Sequence, residues 1–259
     1  MSFVSSRPPR LRLPDQVTVD FGPPDVLAAT FLSVDRAVRD HGIYLSINHD
    51  LGELVEVNEQ NRKDWSPLLP MFDPSLGGTS PENSFWISGV NDSGEVVLCH
   101  AARLYLWPET SLADELETLR FFYPQPEIQK KANERCLVVS DAASTISGRV
   151  CYSGAVWVRP DYRGRGLAHL TPRLVRAYSL TRWYPDFSVG MVQMRNVTGH
   201  KAAETYGWRH MDTGIHWFGS GHGPEELKVA FGWLEREEVV EDLQQYTSLL
   251  RDPVNAAVV

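Results

Sequence analysis

The stretch AVWVRPDYRGRGLAHLTPRLVRAYSL, residues 155–180, decides how this chain is read. A β-rich run stops at Pro160, a turn containing Gly164 and Gly166 follows, and a helical pattern then begins. Such a strand–glycine turn–helix junction aims several backbone N–H groups one way, at the positive end of a helix dipole, where an anion binds. Glycine suits the turn because a side chain would hold an anion's oxygens away from the amides. Residues 159–182 carry six arginines and one aspartate, a local +5, whereas 25 basic and 33 acidic residues give the whole chain −8. A basic run this short fits a phosphate group better than a nucleic-acid backbone. The acidic chain as a whole is not steered onto nucleic acid or anionic lipid. No P-loop pattern occurs, and the Rossmann glycine pattern is absent both here and in Gly219-Ser220-Gly221-His222-Gly223.

Working outward, the second half alternates. A strand over 150–158 is followed by a helix over about 166–183, a strand over 187–194 and a helix over about 198–206. Two strands, 210–218 and 227–234, and a last helix over 236–251 complete it. Upstream, Val26, Leu27, Phe31, Val34 and Val38 recur at helical spacing behind Pro24, and a short apolar run covers 43–47. A helical pattern over 53–72 is broken by Pro67 and Pro70. Residues 85–90 and 95–106 read as a hairpin turned at Asn91-Asp92-Ser93-Gly94. The spacing predicts an α/β protein with a mixed sheet and helices on its faces. Residues 1–20, with no periodicity, are expected to form a flexible N-terminal arm, and 21–253 a single domain. Residues 107–148 form a long connection, which reads as an insertion once the resemblance given below is applied, with an amphipathic helix capped by Ser111 (Leu112, Leu116, Leu119 and Phe122 on one face) and a strand over 137–139.

Cys99, Cys136 and Cys151 make no C-x-x-C motif and leave one odd thiol, which suits a reducing, cytoplasmic setting. The N-terminus lacks the apolar core of a secretory signal, and no apolar stretch reaches the roughly 18–20 residues that span a bilayer.

Arg163-Gly164-Arg165-Gly166-Leu167-Ala168 resembles the [QR]-x-x-G-x-[GA] acyl-CoA signature of the GCN5-related N-acetyltransferases (GNAT), and Val158-x-Pro160 is similar to the end of that family's fourth strand. Asn196, followed eleven and twelve positions later by Gly207-Trp208, resembles the family's second segment, N-x(10)-G-[FW]. The resemblance covers residues 150–208. It implies a GNAT-like, mostly antiparallel central sheet flanked by helices on both faces, and acyl transfer from acetyl-CoA or another acyl-CoA to a primary amine by direct attack. It further implies that Arg163 through Ala168 bind the coenzyme A pyrophosphate and that Asn196 contacts the pantetheine arm. A bulged strand would free an amide near Trp157–Val158 for the thioester carbonyl. The acceptor is expected to be a small-molecule or peptide amine. A homodimer and a donor carried on an acyl carrier protein, with Arg173 and Arg176 serving the acidic carrier, are open alternatives. So is a module that binds acyl-CoA without turnover.

Two features depart from that family's pattern. Residues 149–160 hold no carboxylate to act as general base, and Ala203 stands where a tyrosine general acid is often found. His200 and Tyr206 flank Ala203 at helical spacing and are the candidate catalytic residues. For Tyr206 a core contact at the helix end is the competing role, and for His200 a solvated place in the first turn. Thr171-Pro172 would suit a later helix start or a kink. His210, Asp212, His216 and His222 match no strong zinc spacing, so no metal is expected. Cys99 and His100, adjacent in a strand, should face opposite ways.

Overall fold

The computed structural model describes residues 12–194, 196–197 and 202–251. Its eight strands are β1 (Tyr44–Asn48), β2 (Ser84–Val90), β3 (Val96–Trp107), β4 (Arg135–Val138), β5 (Gly148–Val158), β6 (Phe187–Gln193), β7 (His210–Phe218) and β8 (Glu226–Glu235). They form one sheet in the order β1-β2-β3-β5-β6-β8-β7-β4. Every pairing is antiparallel except that of β5 with β6. The helices are α1 (Pro24–Arg39), α2 (Leu51–Gln60), α3 (Leu112–Glu117), α4 (Pro126–Gln129), α5 (Asp141–Thr145), α6 (Leu167–Trp183), α7 (Ala202–Tyr206) and α8 (Arg236–Arg251).

Alternation along the strands divides the buried side chains into two cores. Leu98, Ala102 and Cys151 face α1, α6 and α8 through Phe31, Leu174 and Leu243. Cys99, Ala101 and Tyr152 face the other side, where Leu54 of α2, Leu116 of α3 and Phe121 close the core. This is the expected mixed, mostly antiparallel sheet with helices on both faces. No helix of the described residues is long and apolar enough to cross a membrane.

Four expectations need correction. Residues 12–20 are not a free arm: Leu13 is fully buried, Arg12 pairs with buried Asp35 at 2.8 Å, and Gln16 bridges Leu45 O and Ile47 N of β1. Asp20 N–H and Thr18 O both bond Thr181 Oγ1 on α6. The rest of the arm, 1–11, lies outside the described residues.

In the insertion, Ser111 caps α3 through a reciprocal bond with Asp114, but the helix ends at Glu117 because Leu119 takes φ 61°. Leu119 and Phe122 reach the core from the following turn. The insertion's strand, β4, crosses to the far edge of the sheet and pairs with β7.

Helix α6 starts at Leu167 and carries Pro172 inside it, so the glycine turn is the helix's own N-terminus. The proline sacrifices only the bond to Ala168 O. Arg173 and Arg176 lie within the fold, both bonded to Asp242 of α8 at 3.0 Å, and present no surface to an acidic carrier.

Candidate functional site

β5 and β6 part company in the middle of the sheet. They pair only from Val150–Ser153 against Phe187–Gly190; beyond that β5 follows β3 and β6 follows β8, leaving a cleft between them. At the parting, Gly154 to Trp157 of β5 spans what Ala101 to Cys99 spans on β3, one residue too many. The excess forms a bulge with Ala155 at φ 52°. Arg159 N–H donates to Val97 O at 2.9 Å, so alternation turns the Trp157 amide towards β3 and the Val158 amide towards the cleft. Of the two residues, only Val158 turns its amide to the cleft by this alternation. Trp157 contributes its ring instead, stacked on Trp65 at 5.2 Å.

The strand leads through a short 3₁₀ turn, Pro160–Tyr162, into the glycines. Gly164 and Gly166 take φ 75° and 72°, which other residues adopt only with strain. Gly166 caps α6 without a side-chain hydrogen bond, and no acidic residue occupies the first turn, so the amides there keep their capacity for an external anion. The six local arginines are less available than their number suggests. Arg159 is held by Asp161 and Glu95 at 2.8 and 2.9 Å, and Arg173 and Arg176 are buried on Asp242. Arg163 and Arg165 remain at the turn, tied to the backbone oxygens of Val158 and Asp161.

Two cavities meet along this cleft. The outer one, about 600 Å³, is lined by Arg163, Gly164, Gly166, Leu167 and Ala168. The inner one, about 450 Å³, reaches Trp65, Phe122, Trp157, Trp217 and Leu227. Val158, Arg163, Val192, Asn196 and Tyr206 belong to both. The structure therefore gathers eight of the expected cofactor residues around one groove, while the side chain of Arg165 lies on Tyr162 at its edge. Tyr206 stands at the junction. Burial pushes its hydroxyl up from the ordinary phenol value, its carbonyl accepts from Arg176 at 2.8 Å, and its ring packs on Trp208. His200 lies outside the described residues.

The inner cavity holds two histidines that sequence reasoning did not place there. His100, 2 % exposed, faces the bulge with neither ring nitrogen hydrogen-bonded; burial first and then Arg176 bring its pKa down to about 3. His222, against Trp217, is brought down to about 4 by burial, then by Lys131 and Arg62. Both rings are neutral at pH 7. A fold-level cue existed only for His100, whose strand runs beside the motif. Cys99 points to the opposite face, where burial raises its thiol, so no Cys–His pair forms. His210 bonds Glu238, Asp212 bonds Ser140 and His216 bonds Glu226, each a separate contact. Among the described residues no three potential ligands converge on a metal position.

No family model and no curated protein matches the sequence. Several solved structures match its backbone. Arabidopsis thaliana NAA60 in complex with acetyl-CoA is 15 % identical, with 74 % of this chain and 98 % of that one covered, at a TM-score of 0.45. A mutant form of the spermidine/spermine N-acetyltransferase SpeG from Vibrio cholerae is 10 % identical over 78 % and 98 %, at 0.44. FeeM, an N-acyl amino acid synthase from uncultured soil microbes, is 12 % identical over 79 % and 97 %, at 0.45. These are distant backbone likenesses.

Proposed function

We propose that this chain is a GNAT-type N-acyltransferase that moves an acyl group from acyl-CoA to a primary amine. The observation that carries the reading is the continuous groove from the uncapped N-terminus of α6 to the parting of β5 and β6. Amides from Gly164 to Ala168 hold the pyrophosphate, at roughly 1.5–3 kcal/mol for each charge-assisted hydrogen bond. Arg163 and Asn196, which line both cavities, flank the pantetheine arm. The cleft-facing Val158 amide stabilises the oxyanion formed when the amine attacks the thioester carbonyl, and Tyr206 protonates the departing thiolate. Acetyl is the default acyl group; burial of Arg173 and Arg176 removes the support those residues gave to an acyl carrier protein donor.

The test is thermal unfolding in the presence of a ladder of acyl-CoA esters, followed by thiol release with a panel of amines. A ligand at 100 times its Kd adds about 2.7 kcal/mol of apparent stability. Stabilisation together with thiol release supports the enzyme; stabilisation without release supports a binding module, the reading motivated by the missing carboxylate on β5. No stabilisation by any ester overturns both.

A further inference from the structure

The inner cavity has a composition that selects its amine. Its walls are aromatic: Trp65 stacks on Trp157 with rings 11° apart, and Trp217 contacts both Phe122, at 3.9 Å and 13°, and His222, at 5.5 Å and 26°. Ile215, Leu227 and Val229 also line it. Among the described residues, the ionisable groups that line it are Asp64, His100, Tyr152, Arg163, Arg176, Tyr206 and His222. Asp64 is the one carboxylate among them, and it is exposed. The two arginines are cations, and the two histidines are neutral.

An alkylammonium entering this space would leave water without gaining a buried carboxylate partner, which costs several kcal/mol per ion. At the His222 end Lys131 and Arg62 raise the potential, and buried Glu134, which accepts from Trp217 Nε1 behind the wall, offsets part of that. An aromatic amine meets neither obstacle. Its nitrogen is uncharged at neutral pH, its lone pair is available without prior removal of a proton, and its apolar ring suits a space lined by aromatic side chains.

Building on the acyl-transfer reading, we propose that the acceptor is a weakly basic aromatic amine bound between the aromatic walls of the inner cavity. The amine lone pair forms the C–N bond at the thioester carbonyl as the C–S electron pair passes to sulfur. Tyr206 supplies the proton that converts the thiolate to coenzyme A thiol, and the proton lost by nitrogen reaches solvent and restores the phenol. Thioester and amine give amide and thiol, with no other reactant. The chemistry also explains why β5 functions without a carboxylate, since no ammonium has to be neutralised.

Aniline and cyclohexylamine make the discriminating pair, because both place one nitrogen on a six-carbon ring and only the second is protonated at pH 7. Thiol release is followed with the acyl-CoA that stabilises the protein most, and spermidine serves as a polycationic control. The expected result is a kcat/KM for aniline at least tenfold above the other two at pH 7. The gap to cyclohexylamine should shrink about tenfold per pH unit as that amine loses its proton. Equal or better turnover of cyclohexylamine or spermidine at pH 7 overturns the proposal. So does an absence of aniline turnover in a protein that acyl-CoA still stabilises. Failure of every acyl-CoA to stabilise the protein overturns the acyl-transfer reading itself.

Discussion

Tyr152 and Trp157, five residues apart on β5, bury their side chains in the same core. An uninterrupted strand would send them to opposite faces, because side-chain direction alternates with every residue. The extra residue at the bulge reverses the parity, and Ala155 absorbs it at φ 52°. A β-branched side chain is a genuine outlier in that region of backbone space. Ala155→Val should therefore cost about 1–2 kcal/mol, whereas Ala155→Gly should be neutral or slightly stabilising. Urea denaturation midpoints check both, and an Ala155→Val protein as stable as the parent would contradict the bulge.

Gly166→Glu brings a Cβ to a residue at φ 72° and a carboxylate to the amides at the start of α6. Strain alone should lower stability by about 1 kcal/mol. Acyl-CoA affinity should fall below detection by calorimetry, since the new carboxylate competes for the amides and repels phosphate. Unchanged affinity in a folded variant would sink the assignment of the turn.

Tyr206 touches both cavities, and its phenol is held protonated by burial. Tyr206→Phe removes the proposed proton source and keeps the ring's packing against Trp208. A loss in kcat of about 10²–10⁴-fold is expected, with acyl-CoA affinity within a few fold. Thiol-release kinetics and calorimetry measure the two separately, and a retained kcat would assign the proton to another donor.

The two neutral histidines make stability depend on pH. Their pKa values are about 3 and about 4 in the folded chain, against about 6.5 for an unperturbed histidine. The contribution is present above pH 6.5 and is lost as pH falls from there, towards about 4 for His222 and about 3 for His100, because the unfolded chain takes up protons that the folded one refuses. The loss approaches about 1.4 kcal/mol per pH unit for His100, and is smaller for the less buried His222. Denaturation at pH 7, 6 and 5 should show the slope, and His100→Phe should reduce it by one proton. Parallel slopes would mean that His100 is charged in the native protein.

The fold was largely legible because its cues are local. Pro24, Asn91–Gly94 and the glycines at 164 and 166 each start or turn an element where the structure has one. The outer half of the site was legible for the same reason, being one continuous motif. The inner half was not. Trp65, Phe122, His100 and His222 come from four separate segments, and only the sheet order brings them together. Leu112, Leu116, Leu119 and Phe122 matched a helical stripe, yet the helix ends at Glu117 and the chain buries the last two from a turn in which Leu119 takes φ 61°. Apolar periodicity records burial, and a compact turn can satisfy it as well as a helix.

The route of residues 107–148 has a consequence for how the molecule assembles. The segment leaves the centre of the sheet after β3, supplies β4 to the outer edge of β7, and returns to the centre as β5. During synthesis it emerges roughly seventy residues before the strand it must pair with, at a translation rate of about 5–20 residues per second. Phe122 likewise waits for Trp217. The stack of Phe122 on Trp217 is thus a late product of folding, secured only when the C-terminal strands have joined the sheet, so the inner cavity closes well after the glycine turn has been synthesised.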